Sequence, residues 1–219
     1  MSYRPANHEN DAIYAANVVD HREWKRADGI ARLGASDATE PGTFLPTGPG
    51  DAFESEWRRW LAESFESWLG PAFVEVYLAT SRMQSERVAE LDREIGGRLS
   101  PEAHERSRAA ALPWLEGRTE VQRQPQWVKY LRAQAAGEVP GHVTTIFALQ
   151  AALFHLPLLS SLAAYVIFEG MNGWAAVHGG KGRDAEAFAS RHPEAMEAAR
   201  RVFRSLADTE SGAPWLTSL

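Results

Sequence analysis

The feature that most constrains the fold is an uninterrupted stretch, residues 139–168, without Asp, Glu, Lys or Arg. It is long enough to cross a bilayer. However, Pro157 interrupts it, polar residues such as Gln150 and His155 are scattered through it, and no basic cluster flanks either end. A helix that is apolar on all sides is also expected at the centre of a bundle. We therefore predict a buried central helix, His142 to Glu169, kinked near Pro157, and no membrane span.

Helical signals also dominate the sequence around this segment. Asp51 is an acceptable N-cap, and apolar residues follow it at three- and four-residue spacing. The pair Gly70-Pro71 predicts a break or kink, and Ser100 before Pro101 predicts a helix start. No alternating strand pattern of useful length occurs. The sequence predicts an all-α helical bundle of five to seven helices over residues 51–219.

The first fifty residues differ from the rest. Residues 1–50 contain four prolines and several glycines, and the stretch Gly42 to Gly50 is incompatible with a helix. We predict that this part is an irregular N-terminal arm, packed on the bundle or on a neighbouring molecule.

Composition excludes several classes of function. The chain contains no Cys, which excludes disulfides, thiolate catalysis and Cys-ligated zinc and fits a reducing cytoplasm. Its formal charge is −6 without long runs of one sign, which disfavours nucleic acid as a partner. Residues 1–10 are polar and no apolar secretory segment follows them. A cytoplasmic location is expected.

Familiar catalytic motifs are missing from the sequence. It has no glycine-rich phosphate loop, no His-Glu-x-x-His and no Gly-x-Ser-x-Gly. Glu-x-x-His, which presents two ligands to a metal pair in helical di-iron proteins, is also missing. The sequence therefore assigns no cofactor and no metal site.

Three polar residues in apolar settings are candidates for acid–base or metal-binding roles: Glu169, His155 and Glu75. Glu169 is the only carboxylate of the central segment, and a buried carboxylate has a raised pKa. Solvent exposure of both glutamates and a hydrogen-bonded core position for His155 are the alternatives. In a regular helix, Glu169 would lie about 21 Å from His155. The two converge only if the chain folds back at Pro157.

Aromatic residues suggest a cavity. Trp57, Tyr77, Trp127 and Tyr165 could wall a pocket for an apolar small molecule. Ordinary core packing is the alternative explanation of these four residues.

Residues 120–160 carry a spacing of tryptophan and proline that occurs in a known family. Pro125-Gln126-Trp127 is followed by Val128 to Arg132, and Phe147 to Gln150 leads to Pro157. This resembles the carboxy-terminal helices of the non-catalytic β subunit of bacterial multicomponent di-iron monooxygenases. The resemblance implies a ferritin-like helical subunit that carries no metal and packs on a catalytic partner.

Two functions remain open from the sequence. The first is a non-catalytic or accessory subunit that docks on a larger assembly, with an oxidoreductase as the expected partner, or that forms a homo-oligomer. The second is a small helical enzyme or ligand-binding protein with an apolar cavity, in which Glu169, His155 and Glu75 serve as acid–base or metal-binding groups.

Overall fold

The computed structural model describes residues 42–48, 50–116, 123–180 and 184–209. These residues form helices joined by short turns, and no strand occurs among them. The α-helices are α1 Phe53–Trp60, α2 Gly70–Ser81, α3 Ser85–Arg98, α4 Pro101–Glu116, α5 Pro125–Ala135, α6 Val143–Leu153, α7 Leu158–Val177, α8 Ala185–Arg191 and α9 Glu194–Thr209. The prediction of an all-α bundle is confirmed, although turns divide the chain into more helical segments than expected.

The helical backbone that begins with α1 continues through Gly70-Pro71, where the sequence predicts a break or kink. Between α1 and α2 the backbone widens into a π-helix, Leu61–Leu69, and the amide of Gly70 donates to the carbonyl of Phe65, five residues earlier. Pro71 has no amide hydrogen and its ring crowds the preceding turn. A wider turn accommodates the ring without ending the helix, so the predicted break does not occur.

The uncharged central segment is a hairpin of two helices and not one kinked helix. Helix α6 ends at Leu153, and α7 begins after Pro157. His155 between them has a φ of 54° and reverses the chain direction. The hydroxyl groups of Thr144, near the start of α6, and Tyr165, in α7, lie 2.8 Å apart. The two helices therefore run back along one another.

This hairpin lies at the centre of the molecule. Helix α6 packs against α2, α4 and α7, and α9 packs against α7 and the π-helix. Nearly every side chain of α6, and most of those of α7, is buried. None of the described helices has both the length and the hydropathy that a bilayer crossing requires.

The described part of the N-terminal arm lies on this bundle. Residues 42–48 have no regular secondary structure, as predicted, and Gly42, Thr43 and Phe44 are buried. Residues 1–41 lie outside the described part. The predicted boundary between arm and bundle, at residues 50 and 51, stays a prediction.

Candidate functional site: a buried carboxylate beneath an N-terminal strap

Residues Gly42 to Gly48, here called the strap, are fastened to α7 by one carboxylate. Glu169 is completely buried. It accepts hydrogen bonds of 3.1 Å from the amide and the hydroxyl of Thr43, and one of 3.1 Å from the amide of Phe44. Tyr165, one turn earlier on α7, donates a fourth of 2.8 Å and lies within reach of Thr144. The carboxylate thus accepts the hydrogen bonds that the backbone amides of Thr43 and Phe44 would make to other backbone groups in regular secondary structure.

Two glycines permit the close approach of strap and helix. A Cβ on Gly42 would lie 2.5 Å from Oε1 of Glu169. A Cβ on Gly173 of α7 would lie 2.5 Å from the ring of Phe44. That ring is buried against Trp57, with ring centroids 5.1 Å apart. Small residues on both surfaces therefore let Phe44 enter the core while Glu169 binds the backbone beside it.

The other end of the strap is held by a second carboxylate, at the surface. Glu56 of α1 accepts hydrogen bonds from the amide of Thr47 at 2.7 Å, from its hydroxyl at 3.0 Å and from the amide of Gly48 at 3.0 Å. A threonine and the residue after it thus bind a carboxylate at each end of the strap. The two ends differ in burial, since only Glu169 is removed from water.

Burial sets the electrostatics of Glu169. Loss of hydration raises the pKa of Glu169, and the hydrogen bonds from Thr43, Phe44 and Tyr165 oppose this shift without cancelling it. Burial and the neighbouring carboxylate also raise the pKa of Tyr165 well above its usual range. Tyr165 therefore stays protonated and remains a hydrogen-bond donor to Glu169.

The raised pKa of Glu169 predicts a pH dependence of stability. The folded protein holds the proton of Glu169 at a higher pH than the unfolded chain does, so this group stabilises the fold most below its unfolded pKa near 4.5. Its contribution falls as the pH rises from 4.5 through the folded pKa. Gln does not titrate, so the stability difference between wild type and Glu169→Gln should shift against the wild type as the pH rises. Urea unfolding of both proteins between pH 4.5 and 7.5 measures this change, and a difference that is constant with pH would contradict the raised pKa.

A second buried carboxylate, Asp92 of α3, was not singled out from the sequence. It is completely buried and accepts four hydrogen bonds. The hydroxyl of Tyr130 donates at 2.9 Å, the amides of Gly141 and His142 at 2.8 and 3.1 Å, and the hydroxyl of Thr145 at 2.7 Å. Asp92 therefore joins α3 and α5 to the first turn of α6.

The three predicted acid–base residues do not share a site. Helix α7 continues to Val177, so Glu169 lies within the helix and is buried. The alternative of a solvent-exposed position at a helix end is therefore wrong. His155 is exposed in the turn of the hairpin. The side chain of Glu75 is 54% exposed and pairs with Arg87 at 2.9 Å. The chain does fold back at Pro157, but the reversal leaves His155 at the surface and Glu169 in the interior.

The four predicted pocket residues, Trp57, Tyr77, Trp127 and Tyr165, are all buried in the core. Tyr77 donates a hydrogen bond to the carbonyl of Leu156, and Tyr165 contributes to the Glu169 site. Two surface depressions of about 120 and 160 Å³ occur in the described part of the chain, and none of the four residues lines either. A small-molecule ligand and a role of these residues in binding it stay predictions.

Comparison with known proteins assigns the chain to a family. The family model of UreF matches residues 53–172, which is more than half of the 219 residues. No curated protein and no solved structure gives a significant match. The match includes Glu56, Asp92 and Glu169, whereas the strap precedes it.

This match overturns the resemblance drawn from residues 120–160. The chain belongs to a different family from the β subunit of di-iron monooxygenases, and the implied ferritin-like subunit loses its basis. Pro125 suits the first turn of α5, and Trp127 packs inward from the same turn. The spacing therefore reflects local helix chemistry.

Proposed function

The chain belongs to the UreF family of urease accessory proteins, and from this we propose that it is a non-catalytic protein that assists the maturation of urease by docking on the proteins of that assembly. The observation that carries the proposal is the family match over residues 53–172. The sequence-based expectation of an accessory protein is confirmed in this coarse form. The expected oxidoreductase partner is not supported, because the family serves urease, which is a hydrolase.

The placement of the candidate residues counts against the enzyme alternative. Glu169 is saturated by four donors from the protein itself. Glu75 and His155 lie apart from it at the surface. A general acid or base must reach the proton that it transfers, and Glu169 has no exposed surface for substrate.

The proposal is tested by producing urease with and without this chain. The urease subunits and the remaining accessory proteins from the same source are co-expressed in a host that lacks urease. Without the chain, we expect urease to accumulate at the same level but to hydrolyse urea at less than about a tenth of the rate. Restoring the chain should restore the rate, and its presence in pull-downs of the accessory proteins should accompany the recovery. Full urease activity without the chain would overturn the proposal.

Two surface variants separate this proposal from the enzyme alternative. An accessory protein should tolerate His155→Asn and Glu75→Gln, because both residues are exposed and away from the strap, and Asn tolerates the left-handed backbone at position 155. Each variant should support urease maturation within about twofold of wild type. If either variant abolishes maturation while the chain remains folded and still copurifies with the accessory proteins at the wild-type level, docking alone does not explain the function, and the enzyme alternative gains support.

A further inference from the structure

We propose that Glu54, His192 and Glu194 bind a divalent transition-metal ion of the Zn²⁺ type, which joins the start of α1 to the junction of α8 and α9. Glu54 lies in the first turn of α1, His192 directly follows α8, and Glu194 is the first residue of α9. His192 and Glu194 lie beyond the part that matches the UreF model. The proposal concerns a site separate from the docking function and does not depend on it.

The spacing of the three side chains suits a metal ion better than direct hydrogen bonds. Nδ1 of His192 lies 3.5 Å from Oε2 of Glu54, and it forms a long hydrogen bond of 3.4 Å with Oε1 of Glu194. One ligand atom from each residue lies within 4.8 Å of the other two. A charge-assisted N–H···O bond is about 2.8 Å long, so both contacts are stretched. Zinc bonds of about 2.0–2.2 Å to nitrogen and carboxylate oxygen in tetrahedral geometry place neighbouring ligand atoms about 3.3–3.6 Å apart.

The surroundings of His192 give a second, independent indication. The side chain is only 1% exposed, and its ring lies among the rings of Phe53, Trp174 and Phe188, with centroids 5.6, 5.9 and 4.3 Å away. Its Nε2 is buried without a hydrogen-bond partner. If Nδ1 carried the only proton, the lone pair of Nε2 would be buried among aromatic rings without a donor. When a metal ion binds Nδ1, the proton of the neutral ring is on Nε2. An N–H group there can form weak hydrogen bonds to the π-electrons of the surrounding aromatic rings.

Charge balance and access are consistent with a bound cation. The two carboxylates carry two negative charges, and a divalent ion neutralises them. The Arg191 guanidinium, the nearest cation along the chain, lies over Trp174 at 5.1 Å. The side chains of Glu54 and Glu194 are 48% and 26% exposed, so an ion can enter and a water molecule can complete its coordination.

The proposal is tested on the full chain with Zn²⁺ as the probe. Isothermal titration at pH 7.5 after treatment with a chelator should detect one Zn²⁺ ion whose affinity falls at least a hundredfold in Glu54→Gln/Glu194→Gln. These are surface substitutions of equal size, so the fold should persist, as circular dichroism checks. With free Zn²⁺ at a hundred times the dissociation constant, the Tm of the wild type should rise by about 5–10 °C, and that of the variant should not. Bound Co²⁺ should have the strong visible absorption of a four-coordinate ion.

A matched control removes the same charge elsewhere. Glu86 and Glu105 are highly exposed, and Glu86→Gln/Glu105→Gln should bind Zn²⁺ as the wild type does. His192→Asn, which removes the nitrogen ligand, should lose the ion as the double variant does. Two results would overturn the proposal: no uptake of Zn²⁺ at 1 mM, or equal affinity in wild type and Glu54→Gln/Glu194→Gln. Both results leave the urease maturation assay unaffected, so failure of one proposal is distinguishable from failure of the other.

Discussion

Replacing Asp92 with Ala is expected to lower the free energy of unfolding by about 3–5 kcal/mol. The substitution leaves four buried donors without an acceptor: two amides, at Gly141 and His142, and two hydroxyl groups, on Tyr130 and Thr145. These groups belong to three parts of the chain, so the loss is not repaired by a local shift. Urea unfolding followed by tryptophan fluorescence and circular dichroism measures the change.

A neighbouring carboxylate provides the control for Asp92. Glu90 lies on the same helix, its side chain is 53% exposed, and it pairs only at the surface with Arg87. Glu90→Ala should change the free energy of unfolding by no more than about 0.5–1 kcal/mol. If Asp92→Ala costs less than about 1 kcal/mol, the hydrogen bonds that join α3, α5 and α6 do not stabilise the fold as described.

Replacing Glu169 with Ala is expected to cost about 3–5 kcal/mol and to release the strap. Three donors of Thr43 and Phe44 and the hydroxyl of Tyr165 lose their common acceptor inside the protein, and water does not replace it. The measurements are urea unfolding and limited proteolysis between residues 42 and 48. The strap should be cleaved more than about tenfold faster in Glu169→Ala than in the wild type.

Glu56→Ala is the matched control for Glu169→Ala. It also removes a carboxylate that accepts from two strap amides and one threonine hydroxyl. Because these groups lie at the surface, water replaces the lost acceptor, and the stability should change by less than about 1 kcal/mol. Equal effects of the two substitutions would show that burial does not set the strength of the strap's attachment.

The sequence predicts the fold class well and the course of the central segment poorly. The absence of charge in residues 139–168 requires burial, and both α6 and α7 are buried. The same pattern does not distinguish one kinked helix from a hairpin, because both bury the same residues. Pro157 marks the place of the break, but the reversal depends on the left-handed backbone of His155, a conformation that is uncommon outside glycine and that composition does not indicate.

The candidate site could be predicted only in part, because burial of a carboxylate is easier to infer than its partners. Glu169 is recognisable as the sole carboxylate that closes an uncharged segment. Tyr165 lies one helical turn earlier, but the other three donors lie 125 and 126 residues away in the irregular strap, and no helical or strand period brings those to Glu169. The sequence does contain a signal for the burial of Asp92. This residue lies on the inward face of α3, four residues after Val88 and three before Ile95, both of which are buried.

The attachment of the strap to Glu169 sets an order of events during biosynthesis. Thr43 leaves the ribosome 126 residues before its acceptor does. At about 5–20 residues per second, this delay lasts about 6–25 s. During that interval the amides of Thr43 and Phe44 have only water to bind, and Phe44 has no α7 to pack against. The strap is therefore made well before its acceptor on α7 and reaches its final place only after α7 has formed, which leaves a period in which a chaperone or protease can act on it.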